Sequence, residues 1–149
     1  MFHVVIFIIA WILWILFADK KRWRELFPVA LLASFLGCIT DNIMHYYTLW
    51  HYQNGHLLLI YLLNDFGVYI VVTYLFIQWL PKERSFRSMF GYWFIWTGMA
   101  ISLELIYHAT NHLIYHQWWN SWWSYLADWI LYWIFYEYHK IFNLKKLSE

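Results

Sequence analysis

Long apolar runs alternate with short polar segments along the chain, and this alternation predicts its secondary structure. A helix needs roughly 20 apolar residues to cross the hydrocarbon core of a bilayer. Five runs approach or exceed that length, and Pro81 ends one of them because proline cannot continue the helical hydrogen bonds. We therefore expect five membrane-spanning helices, at about residues 2–18, 26–50, 57–80, 88–115 and 121–141.

The polar segments between these runs are too short to form a soluble domain. No glycine-rich linker and no repeat of about 20–50 residues divides the chain. The sequence therefore predicts an all-α fold, in which residues 1–149 form a single polytopic helical bundle in a lipid bilayer.

Composition supports a membrane protein and argues against other classes. The chain is 63% apolar and only 13% charged, whereas soluble domains average about 45–50% apolar and about 25% charged residues. A net charge of +1 provides no electrostatic attraction for nucleic acid. The single cysteine, Cys38, excludes an intrachain disulfide framework.

The basic residues predict the orientation of the bundle. All ten fall in the first loop, the third loop and the C-terminal segment: Lys20, Lys21, Arg22, Arg24, Lys82, Arg84, Arg87, Lys140, Lys145 and Lys146. Cytoplasmic loops of membrane proteins carry such an excess of lysine and arginine. We therefore expect the C-terminus in the cytoplasm and the N-terminus outside, with Trp118, Trp119, Trp122 and Trp123 in an outer aromatic belt.

Several polar residues lie inside the predicted spans, where they are costly and usually face the bundle interior or water. They occur on four of the five spans: Asp41, Asn42, His45, Asn64, Asp65, Glu104, His108, Asn111, His112 and Asp128. The predicted orientation places them at mid-membrane or in the outer half. We therefore expect one polar cluster that opens toward the outer face.

Helical spacing predicts how part of this cluster is arranged. Glu104, His108 and His112 follow a spacing of i, i+4 and i+8, which places them on one face of a helix. Asp41 and His45 are also four residues apart. Facing stripes of this kind would bring carboxylates and imidazoles together.

Metal binding is the most specific interpretation of the cluster. His108 and His112 have a spacing that can chelate one ion, and His45 would supply a third nitrogen. The carboxyl groups of Asp41, Asp65 and Glu104 would complete or orient the ligands and act in catalysis. Three histidines and a water suit zinc, while mixed carboxylates and histidines also suit iron or manganese. Haem fits less well, because the surrounding acids favour a hard cation.

Two other interpretations remain open. The polar groups can act as a hydrogen-bond network between helices, worth about 0.6–2 kcal/mol per contact. They can also form part of a proton or ion pathway, although the inner halves of the spans offer only Ser34, Cys38, Thr73, Thr97 and Ser102.

The remaining histidines lie at span ends or in loops, where we expect them to be solvated: His3, His51, His56, His116 and His139. Three of them, His51, His56 and His116, offer a second and weaker metal contact on the outer side.

Over nearly its whole length the chain resembles a family of small multi-span membrane proteins from spore-forming Gram-positive bacteria, a family with no assigned activity. The resemblance is carried by Glu-Leu-Phe-Pro at 25–28, Asp-Asn-Ile-Met-His at 41–45 and Glu-Leu-Ile-Tyr-His at 104–108. It implies a multi-pass protein of the bacterial plasma membrane.

A shorter motif resembles intramembrane zinc hydrolases of the alkaline ceramidase and adiponectin-receptor type. Asp41 and His45, Asp65, and then His108 and His112 follow the family's order of Ser-x-x-x-His, Asp and His-x-x-x-His. Here Asp41 stands in place of the serine, and two of seven spans are absent. The resemblance implies zinc on His45, His108 and His112, a zinc-bound water as nucleophile, and a lipid-like substrate.

The function expected from the sequence is therefore a metal-dependent membrane hydrolase acting on a lipid-like molecule. The alternatives are a non-enzymatic envelope component and a small ion or proton conductor. No feature of the sequence identifies a protein partner.

Overall fold

The computed structural model describes residues 2–53 and 57–148 and confirms the all-α fold. Its helices are α1 (Phe2–Phe17), α2 (Trp23–Tyr46), α3 (Leu57–Leu63), α4 (Tyr69–Gln78), α5 (Phe86–Ala109) and α6 (Ser121–Ile141). A π-helical segment, Asn64–Val68, joins α3 and α4 into one rod. The described residues therefore form five rods, as the hydrophobic pattern predicts.

Three of these rods are long and apolar enough to cross a membrane: Lys20–Tyr46, Leu58–Gln78 and Phe86–Ala109. The first α-helix is shorter, with 16 residues, and spans about 24 Å at 1.5 Å per residue. Large apolar side chains such as Phe35, Phe94 and Ile95 are exposed on the exterior. An apolar exterior on long apolar helices is typical of a membrane protein.

Side-chain caps determine where two of the helices begin. The Ser85 hydroxyl accepts a hydrogen bond from the Ser88 backbone N–H at the start of α5. The Asn120 side chain accepts from the N–H groups of Trp122 and Trp123 at the start of α6. Serine and asparagine are favoured N-cap residues because they satisfy N–H groups that lack a helical partner.

The ends of α2 and α5 differ from the sequence prediction. We expected these helices to reach residues 50 and 115, but they end at Tyr46 and Ala109. Each end adopts a Schellman motif, in which a residue of positive φ turns the chain and the next N–H closes the last turn. Thr48 has a φ of 50° and Asn111 a φ of 55°.

The same pattern of backbone hydrogen bonds closes both motifs. After α2, the Leu49 N–H donates to the Met44 carbonyl at 3.0 Å. After α5, the His112 N–H donates to the Tyr107 carbonyl at 2.8 Å. Asparagine at position 111 was a sequence signal for this stop, since it tolerates positive φ better than most residues. Thr48 carried no comparable signal.

Beyond the two stops the chain forms a pair of short antiparallel strands, β1 (Trp50–Tyr52) and β2 (Leu113–Tyr115). Trp50 pairs with Tyr115, and Tyr52 pairs with Leu113. The sequence predicts a turn at residues 51–56. Residues 51 and 52 instead belong to β1, and residues 54–56 lie outside the described part of the chain. The strands join two loops across one end of the bundle, which we name the strand end.

The core is densest where α2 packs against α4. Leu26, Val29 and Ala30 from α2 meet Tyr74 and Phe76 from α4, and none of these five side chains has any exposed surface. Alanine on α2 lets the two backbones approach closely, as small residues do between membrane helices. The α5–α6 pair and α1 pack around this centre.

At the opposite end, which we name the basic end, a buried carboxylate connects three segments of the chain. Glu25 has no exposed surface. Arg22 donates to both of its oxygens at 2.7 and 2.8 Å, the Nε2 of His139 lies 2.9 Å from Oε1, and the Ser148 hydroxyl donates to Oε2. His139 is 3% exposed, so the expectation that it is solvated is wrong. The last turn of α6 packs on the first turn of α2 and covers it.

Gln78 extends this junction to the ends of α1 and α4. Its side-chain oxygen accepts from the Asp19 N–H at 2.7 Å, and its amide donates to the Phe17 carbonyl at 2.9 Å. Arg22 donates to the backbone carbonyl of Gln78 at 3.2 Å. Helix ends in this region therefore have polar partners within the protein.

Replacing Glu25 by glutamine should destabilise the protein strongly. Glu25→Gln keeps the shape of the side chain but leaves Arg22 and His139 without the charge they share. We expect a loss of roughly 2–4 kcal/mol, seen as a lower midpoint of thermal unfolding in detergent. Equal midpoints for wild type and variant would contradict this role.

Glu137→Gln is the matched control. Glu137 forms a single 3.5 Å ion pair with Lys140, and the lysine side chain is exposed. Exposed pairs contribute about 0–1 kcal/mol, so the midpoint should change little.

Candidate functional site

A cavity of about 510 Å³ lies between the helices and opens to the exterior, where its lining residues Leu13, Phe17 and Met99 are exposed; we name it the central cavity. All the long rods contribute to its wall, which is mostly apolar. Its apolar lining includes Ile6, Ala10, Leu13, Ala33, Ala100 and Leu131. Alanines at several of these positions leave the space that larger side chains would fill.

The polar part of the wall lies toward the strand end. Glu104 on α5 and Asp128 on α6 both line the cavity. Asn64 and Tyr107 line it as well, and the Tyr107 hydroxyl donates to Asn64 Oδ1 at 3.3 Å. In the part of the chain that the structure describes, no lysine, arginine or histidine lines the cavity.

Glu104 is held by a partner from a neighbouring segment. The Tyr115 hydroxyl, on β2, donates to Glu104 Oε1 at 2.5 Å. Ser124, in the first turn of α6, lies near Glu104, and its Oγ accepts from the Trp119 indole N–H at 3.0 Å. The Tyr115 hydrogen bond fixes the carboxyl group at the wall of the cavity.

Asp128 contrasts with Glu104. Its Oδ2 atom is buried and has no hydrogen-bond partner in the protein. A buried carboxyl oxygen without a partner is costly, so a hydrogen-bond donor that reached this atom would be stabilising. The sequence predicts Asp128 in the polar cluster but indicates no specific role for it.

Asp41 and Asp65 lie outside the cavity wall, and each is 2% exposed. Asp65 Oδ2 accepts from the Cys38 thiol at 3.0 Å, while Asp65 Oδ1 and both Asp41 oxygens have no protein partner. Asp41 interacts electrostatically with Asp65 and Glu104. The structure thus brings the three predicted carboxyl groups into one region, although Glu104 alone of the three lines the cavity.

The π-helical segment positions Asp65. The Tyr69 N–H donates to the Asn64 carbonyl five residues earlier, instead of four. Such a π-bulge often occurs at functional positions because it changes which side chains face inward. Here it buries both Asn64 and Asp65.

The three histidines of the predicted metal site have separate surroundings. His45 is exposed near the end of α2. The Nδ1 of His108 lies 3.1 Å from the Leu113 carbonyl, and the Nδ1 of His112 lies 3.0 Å from the Thr110 hydroxyl. The expectation that Glu104, His108 and His112 share a helix face is wrong, because α5 ends before His112.

Within residues 2–53 and 57–148, no three histidine, cysteine, aspartate or glutamate side chains are placed so that they could hold a metal ion. The structure therefore does not group His45, His108 and His112 as the ligands of one ion. None of the three histidines lines the central cavity either.

Three further histidines differ from the expectation of solvated side chains, since His3 is buried and His51 and His116 are half-buried. His3 is 4% exposed and packs against the rings of Tyr52 and Tyr107. His51 stacks on His116 with ring centroids 4.6 Å apart, and the Nδ1 of His51 lies 2.8 Å from the Nε2 of His116. Burial lowers the pKa of His51, and the nearby His116 ring lowers it further. A neutral ring can therefore share a hydrogen bond with the other. His56, the third member of this predicted contact, lies outside the described residues.

Tyr115 is a site residue whose contact with Glu104 was not predicted from the sequence. It was placed at the end of a long helix, where its hydroxyl has no defined direction. In the structure it belongs to β2 and reaches back to Glu104. The one sequence signal that the chain reverses before Tyr115 is Asn111, because asparagine tolerates positive φ.

No protein-family model, no curated protein and no solved structure matches this chain. The central cavity can enclose an apolar molecule, and its carboxyl groups can accept hydrogen bonds from the polar end of that molecule.

Replacing Gly37 by alanine should disturb the packing around Asp65 and Tyr69. A Cβ atom there would lie 2.8 Å from Asp65 Oδ1 and closer still to the Tyr69 ring. Overpacking of this kind costs roughly 1–3 kcal/mol, so we expect Gly37→Ala to lower the midpoint of thermal unfolding.

Gly98→Ala is the control on α5, where an added Cβ meets no atom within 4 Å. Alanine is favoured over glycine in a helix by about 1 kcal/mol, so this variant should unfold at an equal or higher temperature. The interpretation fails if both variants shift the midpoint in the same direction.

Proposed function

We propose that this protein is a multi-pass protein of the bacterial plasma membrane that binds a lipid-like molecule inside its helix bundle. The observation that carries the proposal is the central cavity, whose wall is mostly apolar and has two carboxyl groups toward one end. Its volume of about 510 Å³ lies within the range of roughly 300–1,000 Å³ that is common for small-molecule sites.

The extent of the cavity suits an extended apolar chain. On α1 its lining runs from Ile6 to Phe17, which corresponds to roughly 16 Å along a helix axis. The apolar lining continues toward the basic end, while Trp50 and Tyr52 lie at the strand end. A molecule with one polar end would therefore have a defined orientation.

Membrane energetics indicate what would make such binding selective. Moving an apolar chain from lipid into an apolar cavity gains little hydrophobic free energy, because lipid tails are equally apolar. Selectivity must come from packing in the cavity and from the polar end. Glu104 and Asp128 are the residues with carboxyl groups that line it among the described residues.

Binding is better supported than metal-dependent hydrolysis. The resemblance to intramembrane zinc hydrolases implied ligands His45, His108 and His112, and these residues are not grouped around one ion here. We therefore derive no reaction step through a metal. The lipid-like molecule that the resemblance implied as a substrate is retained as the class of ligand.

We further propose five spans, with the basic end in the cytoplasm. At that end Arg22 contacts Gln78, Arg84 packs over the ring of Tyr136, and Ser148 donates to Glu25. The three basic segments of the chain thus meet at one end of the bundle. This grouping supports the orientation that the positive-inside rule predicts.

Filling the cavity should release the bound molecule. Ala100 lines the cavity, and Ala100→Phe places a ring in the space that we assign to the apolar chain. We expect mass spectrometry of purified wild-type protein to detect a co-purified lipid, and at least a tenfold lower amount with Ala100→Phe. A tenfold decrease corresponds to a loss of roughly 1.4 kcal/mol of binding free energy.

Ser102→Phe is the matched control, because Ser102 is exposed on the same helix and does not line the central cavity. It adds the same bulk and should leave the lipid content unchanged. Absence of co-purified lipid from wild type, or equal loss in both variants, would contradict the proposal.

The orientation can be tested by labelling single cysteines in a Cys38→Ser background. Trp118→Cys lies in the loop before α6, and Glu83→Cys lies in the loop before α5; both positions are exposed. In intact cells a membrane-impermeant maleimide should label Trp118→Cys, and should label Glu83→Cys only after the cells are opened. The opposite pattern would reverse the orientation.

A further inference from the structure

The polar end of the central cavity is acidic and has no basic counterpart. Glu104 and Asp128 line it, and the described lining contains no lysine, arginine or histidine. A ligand with a phosphate or carboxylate at its polar end would face two carboxyl groups at close range. The cavity is therefore selective for the charge of its occupant, an inference that rests on the proposed function.

The hydrogen bonds distinguish the two carboxyl groups. Glu104 accepts from the Tyr115 hydroxyl, so its position is fixed by the protein. Asp128 Oδ2 is buried without a partner. The acceptor left for a ligand is therefore on Asp128, with Glu104 adding negative potential beside it.

Aromatic rings surround the same end of the cavity. Trp50 and Tyr52 from β1 and Tyr107 from α5 line the wall at this end, while Tyr132 lines it one turn of α6 further toward the basic end. The faces of such rings attract cations, and the attraction strengthens where water is excluded. Quaternary and primary ammonium groups are bound by this combination of rings and carboxylate in many proteins.

We propose that the central cavity binds an amphiphile whose polar end is an amine. Its ammonium group donates to Asp128 and lies among the aromatic rings, while its apolar chain extends toward the basic end. This arrangement gives Asp128 Oδ2 the donor it lacks and gives the buried carboxyl groups a countercharge. Amphiphiles with anionic ends are rejected by the same two carboxyl groups.

The test compares three probes that share a 12-carbon chain: dodecylamine, dodecanol and dodecanoate. Equal concentrations compete for the purified full-length protein in a neutral detergent at pH 7.5, and native mass spectrometry measures the bound fractions. We expect the amine to be bound at least tenfold over dodecanoate, with dodecanol in between.

Asp128→Asn is the principal variant, because it preserves the size of the side chain and removes its charge. We expect the amine preference to fall by roughly tenfold, while dodecanol is bound as in wild type. Glu104→Gln should reduce the preference less, since Glu104 acts at longer range. Asp65→Asn is the matched control: Asp65 is buried but does not line the cavity, and the preference should not change.

The possible outcomes separate this inference from the proposed function. If wild type binds dodecanoate as well as the amine, or if Asp128→Asn keeps the full preference, the amine assignment is overturned while lipid binding stands. If none of the three probes binds and Ala100→Phe retains as much co-purified lipid as Ser102→Phe, the proposed function fails as well.

Discussion

The buried Glu25 carboxylate is the interaction on which the arrangement of the helices depends. A carboxylate with no exposed surface must be neutralised and hydrogen-bonded where it lies. Arg22 provides the charge from the preceding turn, while His139 and Ser148 bring the end of α6 and the C-terminal segment to the same point. Since Arg22 also contacts Gln78, a single acidic side chain brings helix ends from distant parts of the sequence into register.

The strand end is organised by the backbone instead of by charge. Helices that stop near a membrane leave carbonyl groups without partners, and these groups need hydrogen bonds. Two Schellman motifs close the last turns, and the strands that follow pair with each other. Tyr115 on β2 reaches from this pairing to Glu104. The backbone solution at the surface therefore also positions a side chain of the cavity wall.

Sequence periodicity predicted the helices well and the site only in part. Apolar runs indicate where a chain can be helical, and all five rods lie within or close to the predicted spans. The same runs do not show where a helix stops inside an apolar stretch. The prediction that α5 continues past Ala109 put His112 on the same helix face as Glu104, although His112 is not helical. It also put Tyr115 in a helix, where its contact with Glu104 could not be foreseen. Burial of Asp41 and Asp65 followed from their cost in lipid, whereas the Asp128 oxygen without a partner depends on packing that no local pattern encodes.

The π-helical segment has a consequence for how the length of this chain can vary. Residues 64–68 make a wider turn that contains one residue more than the surrounding α-helix requires. Loss of a single residue there would restore a regular α-helix and leave the faces of α3 and α4 where they are, because the wider turn already absorbs that extra residue. The side chains inside the segment, including Asn64 and Asp65, would take new directions. We therefore expect this rod to accommodate a one-residue deletion within residues 64–68 more readily than one elsewhere along its length, although the sequence looks like an uninterrupted apolar helix.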